Sequence, residues 1–313
     1  MAITAAILPS HIRRLTTAPL PLLLIVGFFL AVSILLSKVA AAQGAPMLTY
    51  LALAMGGSGL ILTLSTRRTG TAETGILVVA FYSLGAGGLM ALGSALGYLT
   101  VHKVGAAFIA LALAFPPMLT WLISMVLRME RFDTLRLGGL SVGLAGGVFL
   151  AVSKGIGAPS DFGAILTASS MPVVLAVGNV FRTKYWPKGA SAGRLAGAML
   201  ICGAGLTLPF AVLMEGAPAM AAMAQPTMLV VLLIALVTFV AQYLALFQLQ
   251  RVAGPVYLSQ IGSVAAIIGS PVAVFALGER LPEGFAFAGL LIVLGLTLFQ
   301  FGGTRRAAEG RSP

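Results

Sequence analysis

The sequence predicts an all-α integral membrane protein with ten transmembrane helices arranged as two inverted five-helix repeats, and three observations carry that reading. Hydrophobic residues make up 59% of the 313 and charged residues only 9%, whereas a soluble surface is about 25–35% charged. Apolar segments near the roughly 20 residues that cross a hydrocarbon core as a helix recur ten times. Two stretches also echo each other: Gly105-Ala106 runs through an apolar segment to Glu130-Arg131, and Gly254-Pro255 runs through another to Glu279-Arg280. Such duplications commonly build a transport pathway, because related halves can rock about a site held between them.

The segments fall at 20–37, 47–65, 75–98, 104–127, 136–153, 163–181, 194–214, 228–249, 254–278 and 284–303. Their long continuous runs exclude a membrane barrel, whose strands alternate over about ten residues. The expected organisation is a cytoplasmic tail (1–19), a first repeat (20–153), a periplasmic linker (154–162), a second repeat (163–303) and a short, polar, disordered cytoplasmic tail (304–313). Gly155, Gly157 and Pro159 give the linker the composition of an exposed turn.

Arg13 and Arg14 precede the first segment, which ends near Ala40-Ala41-Ala42-Gln43-Gly44-Ala45. A cleaved signal peptide has the same pattern, but cleavage would leave nine helices and break the five-plus-five symmetry, so retention is the expectation. Pro116-Pro117 falls mid-way along the fourth segment, Pro172 in the sixth, Pro209 in the seventh and Pro271 in the ninth. Each removes a backbone hydrogen bond and bends its helix, which makes the fourth and ninth the expected moving walls. Gly139, Gly143 and Gly147 repeat every four residues in the fifth segment, with shorter versions at Gly93/Gly97 and Gly193/Gly197. That spacing lets helices approach closely; a hinge or a homodimer seam is the alternative use.

Basic residues set the orientation. With a cytoplasmic N-terminus, 15 of the 19 fall inside, Arg136 and Arg182 among them, and only Lys38, Lys103, Lys154 and Arg280 outside. This bias places both termini in the cytoplasm. It also accounts for the net charge of +11 as topology signals in short loops, without the aromatic interleaving that nucleic-acid binding uses.

All eight acids lie at or beyond helix ends. The deep polar residues are neutral, and those expected to contact substrate are Ser33, Tyr82, Trp121, Asn179, Gln242, Tyr243, Gln260 and Ser263. An unpaired amide in hydrocarbon costs several kcal/mol, so Asn179, Gln242 and Gln260 must face protein or water. Tyr257, near a helix start, reads as an interfacial anchor. The implied cavity is neutral and amphipathic, suited to uncharged, zwitterionic or partly aromatic metabolites. Lys38 has two readings, snorkelling to the outer surface or a counter-charge for substrate. Glu130, Arg131, Glu279 and Arg280 likewise serve either as helix-end caps or as gating ion pairs. Asp133 is placed to cap the fifth helix and Pro282 to start the tenth.

Arg128-Met129-Glu130-Arg131, Leu277-Gly278-Glu279-Arg280, and Lys38 followed by Gly44-Ala45-Pro46 resemble the drug/metabolite transporter superfamily, specifically its ten-helix EamA-type permeases. The likeness covers nearly the whole chain, although the Trp-Gly pair of the first helix and the Arg near the start of the second are absent. The expectation is a secondary transporter in the inner membrane working by alternating access, with its site between the fourth and ninth helices and contributions from the first, third, sixth and eighth; export of small metabolites or amino acids is what the resemblance alone implies.

An enzyme is not expected. His11, His102 and the lone Cys202 cannot assemble a metal cluster or a disulfide. No phosphate-binding Gly-x4-Gly-Lys-Ser/Thr loop occurs, and no nucleophile has a base beside it; no cofactor is called for. The alternative is a non-catalytic helical scaffold or partner subunit. A wet cavity favours the transporter, and a dry interior the scaffold.

Overall fold

The computed structural model describes residues 19–66, 75–157, 162–216, 218–252, 258, 260–278 and 284–309. The chain up to residue 18, the second echo's Gly254-Pro255, Tyr257, Glu279, Arg280 and Pro282 lie outside the described residues, as do Pro159 and most of the linker's second half. Twelve helices and no strand are present among the described residues: α1 (Pro19–Ala42), α2 (Met47–Ser65), α3 (Ile76–Val104), α4 (Ala106–Ala112), α5 (Pro116–Val126), α6 (Thr134–Gly157), α7 (Phe162–Lys184), α8 (Ala192–Glu215), α9 (Pro218–Met223), α10 (Pro226–Val252), α11 (Ile261–Leu277) and α12 (Phe285–Glu309). Among the described residues nine spans, with Ala106–Val126 as one of them, are long and apolar enough to cross a membrane; Ile261–Leu277 is a shorter apolar helix. This is a multi-pass helical membrane protein.

The all-helical outcome follows from the solvent. Hydrocarbon offers no hydrogen-bond partner, so each span must satisfy its own backbone, which a helix does internally. Helix limits track the apolar segments, but several helices overrun them, α1 continuing to Ala42 rather than stopping at residue 37. α3 continues to Val104 rather than stopping at residue 98, α6 runs through Gly157 into the expected linker, and α12 runs through Glu309 where a disordered tail was expected. The six-residue helix α9 was not anticipated.

Pro116-Pro117 do more than bend the fourth span. The chain turns through Leu113–Phe115 and restarts with Pro at the first positions of α5, where a missing N–H costs nothing. Gly105, at φ +89°, makes the turn between α3 and α4 in a conformation that favours glycine. The fourth span is also the most enclosed, with 83% of its apolar stretch buried against 28% for the α12 span. By contrast, Pro172, Pro209 and Pro271 lie inside continuous helices.

The glycine stripes sit at helix crossings. α6 packs along α12 and α2 along α8. A β-carbon on Gly139 would lie 2.5 Å from the Gly295 carbonyl oxygen and the Phe299 nitrogen, and one on Gly143 3.0 Å from Met118. Gly197 packs against Gly59 and Thr63 on α2. The ends are tied as well: α2 follows Pro46 with no side-chain cap of its own, and Glu215, at the end of α8, accepts from Leu48 N (2.7 Å), Thr49 N (2.8 Å) and Thr49 Oγ1 (2.7 Å). A carboxylate there meets both the free N–H groups and the positive helix end. Gly139→Leu is expected to wedge α6 from α12 and cost about 1–3 kcal/mol, read as a lowered melting temperature of purified protein; a substitution at the exposed Gly138, where a β-carbon would meet open space, as in Gly138→Leu, is expected to leave it unchanged.

Candidate functional site

A central cavity lies at the meeting of α1, α3, the broken fourth span, α7, α10 and α11. These are the six spans named from the sequence as its walls. The cavity offers about 120 Å³ to the centres of water molecules, roughly ten times what one water requires.

The break in the fourth span shapes one wall. Leu113 and Pro116 line the cavity, and the helical partner of the Leu113 carbonyl would be the nitrogen of Pro117, which carries no hydrogen. Gly262 of α11 lies so close that any β-carbon there would overlap that carbonyl oxygen. The two spans that carry the sequence echo therefore meet at a freed carbonyl beside the cavity. Irregular backbone at membrane depth is tolerated where protein or a wet cavity satisfies it.

Ser33 and Tyr98 bridge α1 to α3 by a hydroxyl–hydroxyl bond of 2.8 Å, and both line the cavity. Gln242, Tyr243 and Asn179 line it from α10 and α7. Gln242 is 5% exposed, and its Oε1 has no protein partner among the described residues. Leu30, Ile34, Met90, Leu175, Phe239 and Leu246 make the rest of the wall mainly apolar.

Arg182 corrects the sequence reading. Taken there as a loop charge that reports topology, it is 9% exposed and lines the cavity, so the cavity is not neutral. Its Nη2 donates to Asn179 Oδ1 at 2.5 Å, while its Nε is buried without a protein partner among the described residues. No described residue that lines the cavity is acidic. A buried charge lacking its counter-charge costs several kcal/mol, offset in part here by the negative end of α7, whose last turn contains Arg182. The missed signal was positional. Asn179 and Arg182 are three apart and share a helix face, so a face that must look inward at Asn179 looks inward at Arg182.

Arg136 is the second basic residue that left the expected loop. It is 8% exposed, pairs with Glu130 at 3.7 Å and stacks over Phe299 at 5.3 Å from the ring centre. Asp133 Oδ1 accepts from Arg136 N at 2.9 Å, capping α6. Glu130, Arg136, Thr120, Trp121 and Thr183 line a smaller second cavity. α7 divides the two chambers, with Asn179 Nδ2 reaching Thr120 Oγ1 at 3.4 Å. Arg131 is exposed.

The other sequence candidates lie off the central cavity. Tyr82 is fully buried in an aromatic layer with Phe181 (6.4 Å), Trp186 (6.0 Å) and, beyond Trp186, Phe247 (5.6 Å). Trp121 meets Phe299 edge to face at 5.8 Å. Gln260, just ahead of α11, accepts from the Gln300 amide of α12, and Ser263 is buried. Lys38 donates to the Val101 carbonyl at 3.3 Å, near the end of α3. Tyr98, Ser37 and Ser94, which also line the cavity, were missed; Tyr98 sat at the expected helix limit, whereas α3 continues well past it.

No family profile matches the chain and no protein of curated function matches it. Thirteen solved chains do match. One crystal structure superposes with a TM-score of 0.56 at 22% identity, over 88% of this chain and 96% of the other, which shows a shared fold and nothing of function.

If the Ser33–Tyr98 bond ties α1 to α3, a double-mutant cycle of Ser33→Ala and Tyr98→Phe is expected to give a coupling energy of about 0.5–1.5 kcal/mol in unfolding of the purified protein.

Proposed function

We propose that this chain is a secondary transporter of small organic solutes, built as two inverted five-span repeats in the cytoplasmic membrane and working by alternating access. The observation that carries the proposal is the cavity itself, walled by both sets of spans and bounded by a broken helix. A scaffold has no use for an open chamber lined by unpartnered polar groups such as Arg182 Nε and Gln242 Oε1.

The packing supports the repeat. Numbering the spans by segment, with α4 and α5 as the fourth, α10 as the eighth and α11 as the ninth, the second packs on the seventh, the fourth on the ninth and the fifth on the tenth. The first packs on the eighth, and the third on the sixth. Exchanging each span with its counterpart five positions on reproduces every one of these pairs. Odd-numbered units related in this way enter the membrane from opposite faces.

Alternating access then requires one closed layer to part as the other forms. The Tyr82–Phe181–Trp186–Phe247 layer lies beside Arg182, at the ends of α3 and α7 that the distribution of basic residues assigns to the cytoplasm. The broken fourth span against Gly262 is the flexible seam. Efflux is the direction that the EamA resemblance favours. No described cluster of His, Cys, Asp or Glu suits a metal, and the proposed chemistry needs none: the protein moves solute without breaking bonds.

Purified protein in liposomes is expected to catalyse saturable counter-exchange of labelled small organic solutes. Exchange no faster than in empty liposomes across amino acids, organic acids and neutral metabolites, with folded protein verified, would support the scaffold instead.

A further inference from the structure

We infer that the central cavity selects a small monocarboxylate with an apolar body, and that Arg182 is the residue that binds its carboxylate. The inference rests on the transporter reading and narrows it, because the sequence alone pointed to neutral or zwitterionic solutes.

Four features of the chamber converge on this chemistry. Arg182 is a permanent cation held at 9% exposure, with one guanidinium nitrogen on Asn179 and its Nε unclaimed. A guanidinium is a planar fork that matches a carboxylate by two parallel hydrogen bonds, and Asn179 occupies only one of its nitrogens. The described lining contains no acid, so the chamber carries an unbalanced positive charge that an anionic solute neutralises. Gln242 and Tyr243 share the same lining, so neutral hydrogen-bonding groups stand in the chamber with the guanidinium.

The remainder of the chamber fixes the body of the ligand. Leu30, Ile34, Met90, Leu175 and Phe239 form an apolar wall, which favours a branched aliphatic or aromatic chain over a polyhydroxylated one. Space for water centres of about 120 Å³ suits a ligand of metabolite size. An α-ammonium group would find no carboxylate partner in the described lining, so an amino acid gains less here than the acid lacking that group. Arg136 differs in this respect, since Glu130 already neutralises it; the smaller chamber carries no such excess charge.

The test uses ligands with one body and different heads: 4-methylpentanoate, 4-methylpentanamide, 3-methylbutylamine and leucine. Binding is read as a concentration-dependent rise in melting temperature of the full chain in detergent, which requires no transport. The acid is expected to bind at least about tenfold more tightly than the amide, the amine or leucine, a ratio that reflects one charge-assisted hydrogen-bond pair. Arg182→Gln is expected to abolish that preference while leaving the ligand-free melting temperature unchanged or raised, since it removes an unbalanced buried charge. Arg182→Lys, which keeps the charge without the fork, is expected to give intermediate affinity and guards against misreading a variant that fails to fold. Equal binding of the amide or of leucine, or undiminished acid binding in Arg182→Gln, overturns the inference. Acid binding without exchange in liposomes overturns the transporter reading alone; exchange of another solute class without acid binding overturns only the choice of substrate.

Discussion

Inside a hydrocarbon layer a backbone N–H or carbonyl has nothing to bond to except the protein, and each one left alone costs several kcal/mol. The whole chain is organised around that constraint. It explains why the described residues are helical and why helix ends are tied off by neighbours, as with Glu215 on the first N–H groups of α2. It also makes the break at Leu113–Phe115 the structure's most consequential local feature. Two consecutive prolines withdraw two donors from the ladder, and the exposed backbone persists because α11, with a glycine at residue 262, closes over it beside a cavity.

Close approach and open space arise from the same residue economy. Glycines at the α6–α12 and α2–α8 crossings bring backbones close together, which leaves the volume of the molecule's centre to be enclosed chiefly by α1, α3, α7 and α10. Those helices carry the polar groups that would be intolerable facing lipid. Ser33 and Tyr98 satisfy each other; Arg182 and Gln242 retain unclaimed capacity. Polar groups in a core are normally paired, and it is on the unclaimed capacity of these two beside the cavity that the proposed solute site rests.

Much of this was legible in the sequence, because the length of an uninterrupted apolar run decides where a chain can cross lipid. Segment limits held closely for α2 and α8, and the prolines of the fourth span marked where it departs from a straight helix, though as a bend rather than the break observed. What escaped were facts that depend on rotation about a helix axis. Arg182 and Arg136 lie near span ends, where a basic residue ordinarily reports topology, and only their facing distinguishes a loop charge from a wall charge. Asn179, three residues before Arg182, carried that information. Trp121 and Gln260 show the converse: being deep and polar does not decide which chamber or neighbour a side chain meets, and these two turned to the second cavity and to Gln300. Tyr82 likewise serves the aromatic layer rather than the cavity wall.

The central claim is that one chamber opens in turn to each side of the membrane. Ser94 lines that chamber, and Cys202 is the chain's single cysteine, so a Cys202→Ser, Ser94→Cys variant carries one reporter thiol. Right-side-out and inside-out vesicles can then be treated with a membrane-impermeant thiol reagent. The account predicts labelling from both faces, slowed by transported solute. Labelling from one face only, or from neither, under conditions in which the protein exchanges solute, would contradict it.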